Sequence, residues 1–166
     1  MQQHGLAEAH RLSGRLEEAE AGYLRTIGLD VASGKDPSIP RFNLALCRIA
    51  RGQLEQAEQV FRELVAVWTR AGRQEMLAFA WCGILCAASL RGDAASADEA
   101  LCALPAALGV GSVDIDLAQL AGDAARAWAS VNDRARAAAC ATLAVAQWQA
   151  LGAPDEVAAL LEAVGG

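Results

Sequence analysis

Five cysteines are the residues in this chain most able to do chemistry, and two lie one helical turn apart in Cys82-Gly83-Ile84-Leu85-Cys86. Thiols at that spacing could hold a soft metal, but a tetrahedral zinc site needs two further ligands. The two histidines, His4 and His10, stand far off in the opening segment. Cys47, Cys82, Cys86, Cys102 and Cys140 all fall in apolar helical stretches with no apolar leader before them. Reduced, buried thiols in a cytoplasmic protein are therefore expected. Asp114 and Asp116, just before Leu117, form a carboxylate pair. Without companions for acid–base work, they read as negative charge at the positive end of a helix. The sequence holds no glycine-rich phosphate loop, no nucleophile elbow and no supported Cys/His pair. Trp68, Trp81, Trp128 and Trp148 lack the accompanying arginine stripe of a base-stacking platform. No catalytic residue, metal or cofactor is assigned, and the chain is not read as an enzyme.

The elements that would carry a binding face are helices. The 166 residues are 54% hydrophobic but only 5% aromatic, and much of the apolar fraction is alanine. Alanine is the best helix former, and small enough to let helices approach closely. The net charge of −6 argues against nucleic acid, which wants a basic face. That charge is uneven: residues 1–75 hold ten basic and ten acidic groups, residues 76–166 four and ten. No apolar run reaches the roughly 20 residues that span a bilayer. The helical pattern begins almost at the first residue, as in a piece of a longer protein.

A repeat organises these helices. Gly14-Arg15-Leu16-Glu17-Glu18-Ala19-Glu20 returns 38 residues later as Gly52-Gln53-Leu54-Glu55-Gln56-Ala57-Glu58. An aromatic follows four residues after each alanine, Tyr23 and then Phe61. Two interleaved sets of turn residues mark the chain: Gly14, Gly52, Gly92 and Asn132, and Gly34, Gly72, Gly111 and Gly152. Their spacings run from 38 to 41. Two sets at one period mean two helices per repeat, each closed by a residue that tolerates the left-handed conformation. Helices are predicted over 1–12, 16–32, 38–50, 54–71, 74–90, 94–108, 113–130 and 134–150, with a short last one over 154–164. Pro37, Pro40 and Pro154 suit helix starts; Asp93 and Asp133 stand where N-caps are wanted. The second helix of each pair carries a core stripe: Leu16, Ala19, Tyr23, Ile27; then Leu54, Ala57, Phe61, Leu64; then Ala94, Ala97, Leu101, Leu104; then Ala135, Ala137, Ala141, Val145. The small residue in each, Ala19, Ala57, Ala97 or Ala137, marks a close crossing.

These residues resemble the tetratricopeptide repeat (TPR) family. Leu6-Ala7 and Leu44-Ala45 match its first-helix pair, Trp81 its large position, and the four alanines with Tyr23 and Phe61 its second helix. The period of 38 to 41 exceeds the family's 34. Arginine- and alanine-rich repeats of this length are similar to the TPR tails of bacterial serine/threonine kinases and large transcription regulators. The resemblance implies an all-α fold: an α-solenoid of about four TPR-like helix pairs with a C-terminal capping helix. One domain is expected over 1–166, with repeats at about 1–34, 38–72, 74–111 and 113–152 and a cap at 154–164.

The resemblance also implies a concave groove lined by the first helix of each pair. It places His4, Glu8 and Arg11 there from repeat one, and Phe42, Asn43, Leu46 and Ile49 from repeat two. Phe79 follows from repeat three, and Gln119, Asp123 and Arg126 from repeat four. Asn43 matches an asparagine with which many peptide-binding TPRs hold a ligand backbone. The basic residues of a carboxylate clamp are absent, with His4 and Gly83 at two of those positions. Packing competes with ligand contact at Phe42, Leu46 and Ile49, and Glu8 with Arg11 reads as a solvated pair. The expected function is a protein-interaction scaffold for a peptide or partner helix, in a bacterial signalling or regulatory protein. The alternative is a structural module that self-associates as a homodimer, or packs on neighbouring domains, through the alanine-rich fourth repeat. Neither nucleic acid nor membrane is an expected partner.

Overall fold

The computed structural model describes residues 2–109 and 112–165, with side chains from residue 5 onward. Among them the chain is helical throughout. The elements are α1 (Gln2–Leu12), α2 (Leu16–Ala32), α3 (Ser38–Ala50), α4 (Leu54–Arg70), α5 (Gln74–Arg91), α6 (Ala94–Ala107), α7 (Ile115–Ser130), α8 (Arg134–Ala150) and α9 (Pro154–Gly165). No described helix is long and apolar enough to cross a membrane. Helix α7 starts two residues later than the pattern predicts. Asp114 is held extended (φ −154°, ψ 145°), and its carboxylate accepts the Asp116 N–H at 2.8 Å. The Gln147 side chain then straps the loop, accepting the Asp114 N–H and donating to the Ser112 carbonyl. Gly111 lies outside the described residues.

The turn residues behave as a repeated device. Gly14, Gly34, Gly52, Gly72, Gly92, Asn132 and Gly152 all have φ between 60° and 75°. At each, the N–H of the following residue reaches back five positions, as from Arg15 to His10, Gln53 to Arg48, Asp93 to Ala88, Asp133 to Trp128 and Ala153 to Trp148. This Schellman bond satisfies carbonyls that the helix end would leave open. Asp93 and Asp133 then cap the next helix, each accepting a backbone N–H at 3.1 Å, from Ser96 and Arg136 respectively.

The residues pack as two compact units, Met1–Leu64 and Val65–Gly166. In the first, α1 packs on α2, and both meet α3. Ala7, Ala19, Tyr23, Leu44 and Cys47 form its core, with Leu16 and Ile27 against them. The approach of α1 to α2 is set by Gly22: a Cβ there would stand 2.7 Å from the Cβ of Ala7. Phe42 and Phe61 meet edge to face, 5.6 Å between centroids.

In the second unit α5 packs on α6 and α7, and α7 on α8 and α9. Enclosure on several sides explains why α5 is buried almost continuously from Leu77 to Ser89. Trp128 donates its indole N–H to the Ser89 hydroxyl at 2.7 Å inside this core. Leu160, fully buried, anchors α9 against α7 and α8. Two expectations are corrected here. Cys102 is exposed, because it lies on the outer side of α6. The fourth stripe runs through Ala137, Cys140, Ala141, Ala144 and Trp148, while Ala135 is exposed.

Arg136 ties three elements together. Its Nε and Nη2 donate to the two carboxylate oxygens of Asp98 on α6, both at 2.7 Å, and Nη1 donates to Asp133. Its guanidinium also stands 5.1 Å from the Trp128 ring centroid. The bonds from Arg136 hold the Asp98 carboxyl below its ordinary value of 3.8, and hydrogen bonds from Arg136 do the same for Asp133.

This packing makes two predictions. Gly22→Leu should overpack the α1–α2 crossing and cost about 1–3 kcal/mol, read as a lower thermal midpoint with faster amide exchange in α1. Because the folded carboxyls of Asp98 and Asp133 bind protons less tightly than in the unfolded chain, their stabilisation is complete above pH ~3.8 and fades as pH falls below it. Urea midpoints of wild type and Arg136→Gln should therefore differ at neutral pH and converge as the pH drops towards ~2.

Candidate functional site

The residues assigned to a groove divide sharply by surroundings. In the first unit most are engaged. Arg11 is bonded to Glu8 at 2.6 Å, and the Tyr23 hydroxyl donates to the same carboxylate at 2.5 Å. The side chains of Arg11 and Glu8 are only 17% and 30% exposed, so the expected solvated pair is instead a joint between α1 and α2. Burial and the adjacent Glu8 carboxylate push the Tyr23 hydroxyl well above its usual value, so it stays a donor. Phe42 and Leu46 are buried core residues at 5% and 7% exposure. Asn43 and Ile49 are half-buried on the same helix. His4 falls in α1, with its side chain outside the described ones.

In the second unit Phe79 is half-buried on α5. Cys82 and Cys86 are buried on the same helix, and burial raises both thiols far above their ordinary value. Cys140 is likewise pushed up to about 12 by burial. These thiols are therefore protonated at neutral pH, which disfavours both nucleophilic and metal-ligating roles. The Cys82 thiol lies 3.5 Å from the Leu117 carbonyl, as a weak donor. No group of three or more His, Cys, Asp or Glu among the described residues could hold a metal ion.

Helix α7 is different. Gln119, Asp123 and Arg126 follow 4–3 spacing, share one face, and are all exposed. Together with Ala118, Trp148 of α8 and Glu156 of α9 they line an open cleft of about 330 Å³. Beneath it Gly122 is buried against α8 and α9: a Cβ there would stand 4.0 Å from both Ala144 and Leu160. Arg126 donates to Asp123 at 3.0 Å. Desolvation on its inner side pushes the Asp123 carboxyl up, while Arg126 pulls it back. At 52% exposure, water screens the first effect, so we take Asp123 as ionised at neutral pH. Gln119 and Glu156 carry no hydrogen bond or ion pair among the described residues. The cleft thus offers an amide, two carboxylates and one guanidinium beside an indole.

Sequence reasoning found three of these residues and missed two. Glu156, in the first turn of α9, was not among the groove residues. Trp148 was not among them either; at 7% exposure it is part of the core and also lines the cleft.

Phe42→Ala should cost about 3–5 kcal/mol by emptying the space against Phe61, read as a lower urea midpoint.

No protein-family model and no curated protein matches the sequence. Two crystal structures do match the fold. One is of "kinesin light chain nearly identical TPR-like repeats" from Podosopora anserina, and the other is a single-substitution form of the same protein. Each is 20% identical to this chain with a TM-score of 0.63, and covers 99% of it; the chain spans 86% and 85% of theirs. Paired helices at a 38-to-41-residue period, closed by left-handed turns and matched over nearly their whole length, give this chain the fold of TPR-like helical repeats.

Proposed function

We propose that the chain is a non-catalytic protein-interaction scaffold, and that a peptide or partner helix is held on the first-helix side of its repeats. The reading treats residues 1–166 as one TPR-like domain. It places that domain in the cytoplasm, as part of a bacterial signalling or regulatory protein. The observation that carries it is the cleft on α7. Three residues chosen for a groove, Gln119, Asp123 and Arg126, line one opening, and two polar groups there, on Gln119 and Glu156, are unengaged among the described residues. Polar groups aimed into a cleft beside an aromatic wall are the usual makings of a selective contact. With Arg126 committed to Asp123, the surplus is negative, and a peptide bearing a lysine or arginine at this point is favoured.

The test is a displayed library of short peptides selected on the purified chain. Enriched sequences should be basic, and Gln119→Ala with Asp123→Ala should weaken their binding about tenfold or more. The far-UV circular dichroism should not change. Peptides that bind the double variant as tightly as the wild type would remove the cleft from the proposal.

A further inference from the structure

Trp148 carries a polar group that its own packing does not use. The residue is only 7% exposed and belongs to the core of the second unit. A tryptophan buried to that degree ordinarily finds an acceptor for its indole N–H. Trp128, at 4%, finds one in the Ser89 hydroxyl at 2.7 Å. The Trp148 N–H donates to nothing among the described residues, and its nitrogen is not sealed from solvent. Trp148 is also a lining residue of the α7 cleft. A largely desolvated donor left open at a cleft is one that a ligand can satisfy.

Two other unengaged groups stand at the same end of that cleft. Gln147, the residue before Trp148, is bonded to Ser112 and Asp114 just ahead of α7, so Trp148 lies by the opening turns of that helix, as Gln119 does. Helix α9 begins beside Trp148, with the Ala153 N–H on the Trp148 carbonyl, and Glu156 is in its first turn. Gln119 and Glu156 make no hydrogen bond or ion pair among the described residues. Asp123 and Arg126, bonded to each other at 3.0 Å, lie about one and two turns further along α7.

The chemistry of the three groups narrows what they can hold. An indole N–H only donates, an ionised carboxylate only accepts, and a side-chain amide does both. A peptide unit asks for one donor and one acceptor. An extended segment leaves both of its backbone groups free, whereas a helix consumes them internally. Length agrees with this. Gln119 and Arg126 stand about 10 Å apart along α7, the reach of roughly three extended residues. Glu156 then remains as the surplus negative charge for a basic side chain.

We infer that Trp148 is a ligand-contacting residue that sets the form of the bound peptide. Its indole N–H donates to a backbone carbonyl, Gln119 pairs with the adjoining amide, and the segment crosses the cleft extended, with its basic side chain on Glu156. The inference rests on the cleft being the peptide site.

Indole proton–nitrogen NMR spectra of the full chain test it, with acetyl-Ala-Ala-Arg-Ala-Ala-amide as the probe. Replacing Trp148 by 3-benzothienylalanine keeps the shape of the ring and puts sulfur in place of the N–H, so the Trp148 signal is identified by its loss. In the free chain that signal should exchange with water faster than the signal of Trp128. The peptide should move it downfield and slow its exchange. The 3-benzothienylalanine chain should bind the peptide about fivefold more weakly, with unchanged far-UV circular dichroism. Butylguanidinium, which has no carbonyl, should bind both chains alike. A peptide that binds the two chains equally, or leaves the Trp148 signal in place, would overturn the inference. If Gln119→Ala with Asp123→Ala still weakened that binding, the cleft would stand as the peptide site without Trp148. A helical peptide of three Glu-Ala-Ala-Ala-Arg repeats that bound as tightly and moved the signal as far would overturn the extended form. A probe that bound neither chain would remove both the inference and the site it rests on.

Discussion

The distance at which two helices can cross governs this molecule. Ala19, Ala57, Ala97 and Ala137, one per repeat, are at most 2% exposed. In the first pair the limit is harder still, since α1 comes so close to α2 that Gly22 has no room for a methyl group. Interiors at such density tolerate neither voids nor excess volume. The helices of each unit are therefore held in one arrangement, and every surface feature inherits its position from those crossings. The α7 cleft is an example: its walls come from α7, α8 and α9, and the packing of those three helices sets its width.

Around these crossings, polar groups lock the joints. Each unit uses a carboxylate or hydroxyl to bind elements that apolar packing has already brought together. Glu8 joins Arg11 of its own helix to Tyr23 of the next. The Ser89 hydroxyl accepts a hydrogen bond from the Trp128 indole N–H, so a buried donor is not left unsatisfied. Arg136 grips Asp98 with a fork of two parallel bonds, a geometry lysine could not reproduce. Surface pairs add little to stability on average. Here they fix orientation, as when Arg51 and Glu20 link α3 to α2.

The fold was legible to a high degree because its signals are local. A glycine or asparagine with left-handed backbone, an aspartate followed three residues later by the N–H it caps, and apolar residues at 3–4 spacing act over a few residues, and all appear in the sequence as written. The site was legible only in part. Gln119, Asp123 and Arg126 were recognisable as one polar face of one helix. That Phe42 faces the core while Asn43 sits at its margin was not, since the two are adjacent and equally helical. The answer depends on Phe61, nineteen residues away on α4.

Sequence alone determined that this chain is a run of paired helices, where most of them begin and end to within a residue, and which small residues mark their crossings, because backbone conformation and capping are decided within a turn or two. Tertiary structure decided which faces remained open. It drew Glu8 and Arg11 into a joint, set Trp148 both in the core and in the lining of a cleft, and exposed Cys102. Burial is set by neighbours that arrive from distant parts of the chain, and no local pattern states which of them will be there.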